Sequence, residues 1–228
     1  MCDVMNLKNI KESFANVFNN PNRVTFREFL KDINGEYDDL DFKREMIECP
    51  KLVKHILAMA NTSGGIICFG VGENDDGKFC PVGLENIEDN TVIQEKLNKF
   101  LPHELEYNII AINYSDDVEW NELRNKNFLL IIVEFTPEYI PFLPIKDSDI
   151  FTRVDIFCRK NSSSTKCEYN DLNDLLNKRI QTNVQNSLSE KDLEDLRLLF
   201  NYKLFNAFNP DFKNLYDLKF NIILKKIK

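Results

Sequence analysis

The sequence predicts a mixed α/β (α+β) fold, a mostly antiparallel mixed sheet flanked by helices, and three stretches carry the prediction. Ile66-Ile67-Cys68-Phe69-Gly70-Val71 is a continuous apolar run of strand length, the pattern of a strand covered on both faces. Ahead of it, Pro50 sits at a first helical position and is followed by Leu52, Val53, Ile56, Leu57 and Ala60, a spacing that lines up one helical face. Earlier still, Leu40-Asp41-Phe42-Lys43 alternates apolar and polar. That period predicts a half-buried strand with Leu40 and Phe42 inward and Asp41 and Lys43 together on the other face.

The other elements follow along the chain. Residues 24–30 suit a short helix, and Asn34-Gly35 marks a turn before the acidic run 36–39. The helix begun at Pro50 is expected to end at Asn61-Thr62-Ser63-Gly64-Gly65, with Gly64 supplying a positive φ. After the apolar run, Asp75-Asp76-Gly77 turns the chain into a return strand over 79–82, a hairpin expected at the centre of the sheet. Val92, Ile93, Leu97 and Phe100 predict an amphipathic helix over 90–101, stopped by Pro102. Strands are expected over 105–114, 128–135 and 150–159, with a polar loop over 115–127 between the first two. Helices are expected over 171–180 and 189–205, the second with Ser189 as N-cap and Glu190, Asp192 and Glu194 in its first turns, where the helix dipole favours acids. A polar linker, 181–187, separates them. The expected organisation is therefore an N-terminal segment 1–23, a principal domain 24–182 and a short C-terminal helical segment 183–228.

Composition limits the function. A chain of 228 residues is long enough for one large domain, or a domain with a small helical appendage, and to bury a substantial core. With 43% hydrophobic and 29% charged residues it reads as globular, and 18 Phe against 1 Trp suggest a core packed with Phe and Ile. Lys and Arg total 29 against 37 Asp and Glu, a net charge of −8, the wrong sign for coating nucleic acid by bulk charge. Any contact with nucleic acid must be local. The cysteines Cys2, Cys49, Cys68, Cys80, Cys158 and Cys167 form no C-x-x-C pair and no cluster with histidine, so neither a disulfide framework nor zinc is expected. No apolar stretch of about 18 residues occurs and residues 1–11 lack a signal-type apolar core, so the expectation is a cytoplasmic protein with no membrane partner.

Three segments, in order, are Glu36-Tyr37-Asp38-Asp39-Leu40-Asp41-Phe42-Lys43, Ala58-Met59-Ala60-Asn61-Thr62-Ser63-Gly64-Gly65 and Phe69-Gly70-Val71-Gly72-Glu73. A fourth, Ile156-Phe157-Cys158-Arg159-Lys160-Asn161-Ser162-Ser163-Ser164-Thr165, precedes a helical stretch over 168–176. In this order and spacing they resemble the signature of the AlbA-like domain of the Schlafen family, across about residues 24–180. The resemblance implies a compact α/β fold, nucleic-acid binding and, in some members, metal-dependent cleavage of transfer and ribosomal RNA by three acids. Those acids map by motif onto Glu36, Asp41 and Glu73, which would hold Mg²⁺ or Mn²⁺ through oxygen ligands. Lys43, two residues from Asp41 on one strand, is placed to hold a phosphate or the attacking water. Asp41 stands where the family usually has Glu, and Glu73 where it usually has Asp. The swaps shorten one ligand and lengthen the other, and Asp75 and Asp76 are alternatives.

The same residues have plainer readings. Residues 36–41 can be a solvated acidic edge and Glu73 the start of a polar turn. Arg159, Lys160 and the hydroxyls of 162–165 form a polar turn able to hold a phosphate or to serve as an ordinary loop. Asn61, Thr62 and Ser63 read as a helix-ending turn, and the isolated His55 and His103 as structural. No Gly-Lys-Ser/Thr phosphate loop supports ATP binding. Lys219, Lys225, Lys226 and Lys228 can assist RNA binding, but interleaved with Ile223, Leu224 and Ile227 they are read as part of a packed terminal helix. The leading expectation is a Mg²⁺- or Mn²⁺-dependent endoribonuclease acting on structured RNA such as transfer RNA. The alternative is a non-catalytic regulatory module that binds nucleic acid or a protein. A homodimer is a further expectation, built on apolar residues of helices over 189–205 and 211–220, the equal alternative being that these helices pack back on the sheet of their own chain.

Overall fold

The computed structural model describes residues 2–33, 35, 37–115 and 120–187. The elements in chain order are α1 (Cys2–Asn19), α2 (Arg23–Asp32), β1 (Leu40–Lys43), α3 (Cys49–Thr62), β2 (Gly65–Phe69), β3 (Val71–Glu73), β4 (Phe79–Pro81), α4 (Asn90–Leu97), β5 (Tyr107–Asn113), β6 (Asn127–Val133), β7 (Phe157–Lys160), β8 (Ser163–Lys166) and α5 (Tyr169–Ser187). The chain divides into two compact units, Met1–Arg179 and Ile180–Lys228. Of the second, the described part is the end of α5. The helices expected over 189–205 and 211–220, with the dimer built on them and the C-terminal lysines, lie outside the described residues. No helix among the described residues is long and apolar enough to cross a membrane.

The central sheet has four strands in the order β1-β2-β6-β5. β1 runs parallel to β2, while β2 with β6 and β5 with β6 are antiparallel. This is the mixed, mostly antiparallel sheet that the residue pattern predicts. Period-two alternation splits its side chains between two cores. Ile67, Phe69, Leu129, Ile131 and Val133 pack with α3 and Leu97 of α4. Ile66, Cys68, Phe128, Leu130 and Ile132 pack with Phe26, Phe29 and Leu30 of α2. Asn22 caps α2 by accepting from the backbone N–H groups of Val24 and Thr25, which satisfies two donors that the first turn leaves open.

The Gly64-Gly65 pair does more than end α3. Both have positive φ, +71° and +148°. A Cβ on Gly65 would lie 2.3 Å from the carbonyl oxygen of Asp39, so only glycine lets β2 run this close to the start of β1. Ile66 N–H then donates to Asp39 O at 2.8 Å, and the parallel register Leu40↔Ile66, Asp41↔Ile67 follows.

Several sequence-based expectations need correcting. The hairpin expected at the sheet centre is a separate two-stranded ribbon, β3-β4. Gly70 (φ +95°) turns the chain out of the sheet where a Cβ would meet the Phe128 ring at 2.9 Å. The strand expected over 150–159 is confined to β7, and the polar turn expected after it is mostly strand: β8 pairs with β7 through Asn161 and Ser162, both of positive φ, the backbone of a two-residue hairpin turn. α5 continues as helix through 181–187, where the polar composition suggests a linker. Residues 2–19 of the N-terminal segment are helical. Finally, β1 is covered on both faces: Asp41 is 1% exposed, although its strand reads as half-buried.

Candidate functional site

Asp41 owes its position to the alternation of β1. Leu40 and Phe42 enter the α2-side core, which turns Asp41 and Lys43 to the opposite face. A lone carboxylate cannot remain ionised there without partners. Lys43 Nζ donates to its Oδ1. On Oδ2, Arg159 Nη1 donates at 3.1 Å and His55 Nδ1 lies at 3.0 Å. Burial alone would push the Asp41 carboxyl up, but the hydrogen bonds and charges of His55 and Lys43 outweigh it and hold the group well below the usual carboxylate range.

Arg159 is the framework of the cluster. Its side chain has no exposed surface, and each of its five N–H bonds meets an acceptor. Nε donates to Asp38 O, Nη1 to Asp41 Oδ2 and Ser164 Oγ, and Nη2 to the carbonyls of Tyr37 and Leu40. The guanidinium thus fastens the chain entering β1 to β7, and no N–H is left for a nucleic-acid phosphate. The end of α3 positions it. Asn61, fully buried, donates to Phe142 O and Phe157 O and accepts from Phe142 N–H. Thr62 Oγ1 accepts from Arg159 N–H at 2.9 Å while donating to Ala58 O. The Ala-Asn-Thr stretch is a clasp that sets β7 and, through it, Arg159.

Of the residues that sequence reading nominates, Asp41, Lys43 and Arg159 are brought together. Lys160 points elsewhere: its Nζ lies 2.7 Å from Asp171 Oδ2 and 3.5 Å from Glu168, and the Asp171 hydrogen bond pushes the lysine up. Glu73 ends β3 and is exposed. Glu36 lies outside the described residues. Among the described residues no group of three His, Cys, Asp or Glu side chains is placed to hold a metal ion. Both Asp41 oxygens accept from cationic or imidazole donors, so the described donors do not fit Mg²⁺ or Mn²⁺, which want oxygens free to coordinate.

Sequence reading takes His55 as structural and Ser164 as one of the turn hydroxyls, and joins neither to Asp41. His55 stands on α3 with its side chain 22% exposed, close to the 23% of Lys43. Its Nδ1 also lies 3.0 Å from Ser164 Oγ. Nothing local in the sequence links residues 41, 55 and 164. The usable signal is that His55 lies on the same turn of the helix as Leu52 and Ile56 but beside the apolar face, where a half-buried polar residue needs a partner.

A family model described as Schlafen, AlbA_2 matches residues 36–168. None of the curated proteins matches the chain. Among solved structures, the crystal structure of the DIP2311 protein from Corynebacterium diphtheriae is similar at 20% identity, with a TM-score of 0.38, over 57% of this chain and 22% of that one.

Proposed function

The chain belongs to the Schlafen AlbA_2 family, and on that footing we propose that it binds RNA through the phosphate backbone at the Lys43–His55 edge of the buried cluster. One observation carries this reading. In a chain of net charge −8, the carboxylate of Asp41 is surrounded by Lys43, Arg159 and His55, so the cluster holds a surplus positive charge even with a neutral imidazole. Lys43 and His55 are its solvent-facing members. A local anion site of this kind is what an acidic protein needs to meet a polyanion. Fluorescence anisotropy with transfer RNA at several salt concentrations tests it. Lys43→Ala should weaken binding across RNA sequences and lower the salt slope by about one. Equal affinity in that variant removes Lys43 from the interface.

A second reading, a Mg²⁺- or Mn²⁺-dependent endoribonuclease, is favoured by the matched segment, which contains all three acids, Glu36, Asp41 and Glu73. It requires Asp41 to exchange its present donors for an ion. Mn²⁺ should then raise the unfolding temperature, and Asp41→Asn should abolish the rise. Transfer RNA should yield discrete fragments that Glu36→Ala and Glu73→Ala each abolish.

A further inference from the structure

We infer that the outer edge of β5 is a docking surface for an extended peptide segment, which adds a strand there and sets a Lys or Arg side chain beside Glu106. β5 closes the end of the sheet opposite to β1, so the inference does not depend on the RNA-binding reading.

The direction of each backbone group follows from the register. Glu134 N–H donates to Glu106 O and Tyr114 N–H donates to Lys126 O, each at 3.0 Å, and both pairs continue the β5–β6 register. In an antiparallel ladder every second residue turns its N–H and C=O to the partner strand. The even-numbered residues of β5 therefore face β6, and Tyr107, Ile109, Ala111 and Asn113 turn theirs outward. Ile109 O agrees with this, accepting from the exposed Asn90 Nδ2 at 3.1 Å. No other of these outward groups has a partner among the described residues. Edge strands are usually guarded by a charge, a proline or a bulge. β5 carries no charged residue and no proline, and its 7 residues pair with β6 without a bulge.

The surroundings of the edge define its occupant. A groove of about 1000 Å³ is lined by Leu101, Leu105 and Tyr107 and by Glu104, Glu106 and Glu134. Glu106 and Tyr107 project to opposite faces of the sheet, so a groove touching both runs along the edge rather than over one face. Glu106 and Glu134 stand directly opposite each other across the ladder, an arrangement in which like charges repel. Neither carboxylate has an ion-pair partner among the described residues. A residue of an added strand opposite Glu106 shares its face, so a Lys or Arg there closes the row of acids with a cation. Ile109 and Ile110 are half-buried, and apolar residues opposite them complete their burial. The partner is thus a mainly apolar, extended segment with a basic residue at one end. Docking displaces one bond, Asn90 to Ile109 O, which an N–H of the incoming strand replaces.

The test adds the full chain to a fluorescein-labelled peptide as long as β5, built of Val and Thr with Lys at its C-terminal end, the end that meets Glu106 in an antiparallel ladder. Anisotropy reads binding, and NMR follows amide exchange. In the free chain the outward amides of Tyr107, Ile109 and Ala111 should exchange well ahead of those of Ile110 and Ile112, and saturating peptide should slow the outward set. Glu in place of the peptide's Lys should weaken binding at least about fivefold, and Glu106→Lys combined with Glu134→Lys should reverse that preference. N-methylation of the peptide amides that face β5 should abolish binding, since each methyl removes a ladder donor. Outward amides already protected in the free chain overturn the inference, because the edge is then taken by another part of the chain or by a second copy. Binding that survives N-methylation, binding that ignores the charge exchange, and no binding at millimolar peptide each overturn it as well.

Discussion

The two faces of β1 solve burial in opposite ways. Leu40 and Phe42 join the α2-side core, where the Phe26 and Phe128 rings meet edge to face at 5.2 Å and Phe42 lies 4.8 Å from Phe79. That face needs only volume and shape, since apolar side chains have no directional demands to satisfy. On the other face Asp41 needs named partners at fixed positions, drawn from β1, α3 and β7. A strand of 4 residues therefore serves as core on one side and as site on the other, and the two sides should fail differently when damaged.

The largest losses separate them. Phe128→Ala should cost about 4 kcal/mol through a cavity at the ring cluster, and removing a second ring should make matters worse. Arg159→Met should cost about 3–5 kcal/mol by leaving the buried carboxylate short of a partner, yet Arg159→Met combined with Asp41→Leu should recover much of that loss. Urea unfolding of the three variants checks the contrast. A double variant no more stable than Arg159→Met alone would mean that the polar face, like the aromatic one, is held by packing.

Asn61→Ala should follow at about 3 kcal/mol, because the carbonyls of Phe142 and Phe157 and the Phe142 N–H all lose a buried partner. If the chain binds RNA as proposed, the substitution should also reduce that affinity without touching RNA, by releasing β7 and Arg159. Wild-type affinity in a folded Asn61→Ala protein would break that link between clasp and site.

Acid discriminates the faces by charge. Asp41 binds its proton less readily folded than unfolded. Its contribution is therefore complete above the ordinary carboxylate pKa, about 3.9, and is withdrawn as the pH falls below it, with no change near neutrality. The fall in unfolding temperature between about pH 5 and pH 2 should be shallower in Asp41→Asn. Identical slopes would mean that other carboxylates dominate.

The smallest effects are expected at the surface. Lys43→Met should cost about 1–2 kcal/mol, less than Arg159→Met, because only the lysine end of its pair with the buried Asp41 carboxylate reaches solvent, and Glu73→Gln should cost less than about 0.5 kcal/mol. A loss above about 2 kcal/mol in Glu73→Gln would give that exposed acid a structural duty that its position does not suggest.

Much of this was legible in local pattern. The alternation 40–43 places Asp41 and Lys43 on one face, and Lys43 does donate to Asp41. Pro50 and the 52–60 spacing match α3, and Gly64 has the positive φ that ends it. What escaped reading was long-range. Gly70 looks like one more member of an apolar run until Phe128, 58 residues later, is found against it. Residues 162–165 read as a loop because their hydroxyls carry no apolar period, yet β8 is held as strand by its ladder to β7. Arg159 looks like a surface cation because arginines usually are, and its burial depends on three carbonyls and a carboxylate more than 115 positions earlier.

By itself, then, the sequence determined the class of fold, the strand that carries Asp41, the face it shares with Lys43, and Gly64 as the positive-φ end of α3. These depend on side-chain period and backbone sterics within a few residues, which any reader of the chain can count. Only the tertiary structure decided that Asp41 is buried, that Arg159 is spent on holding it, and that His55 and Ser164 complete the cluster. Those outcomes rest on the desolvation of charged groups, and whether a charge is desolvated depends on which distant segments cover it.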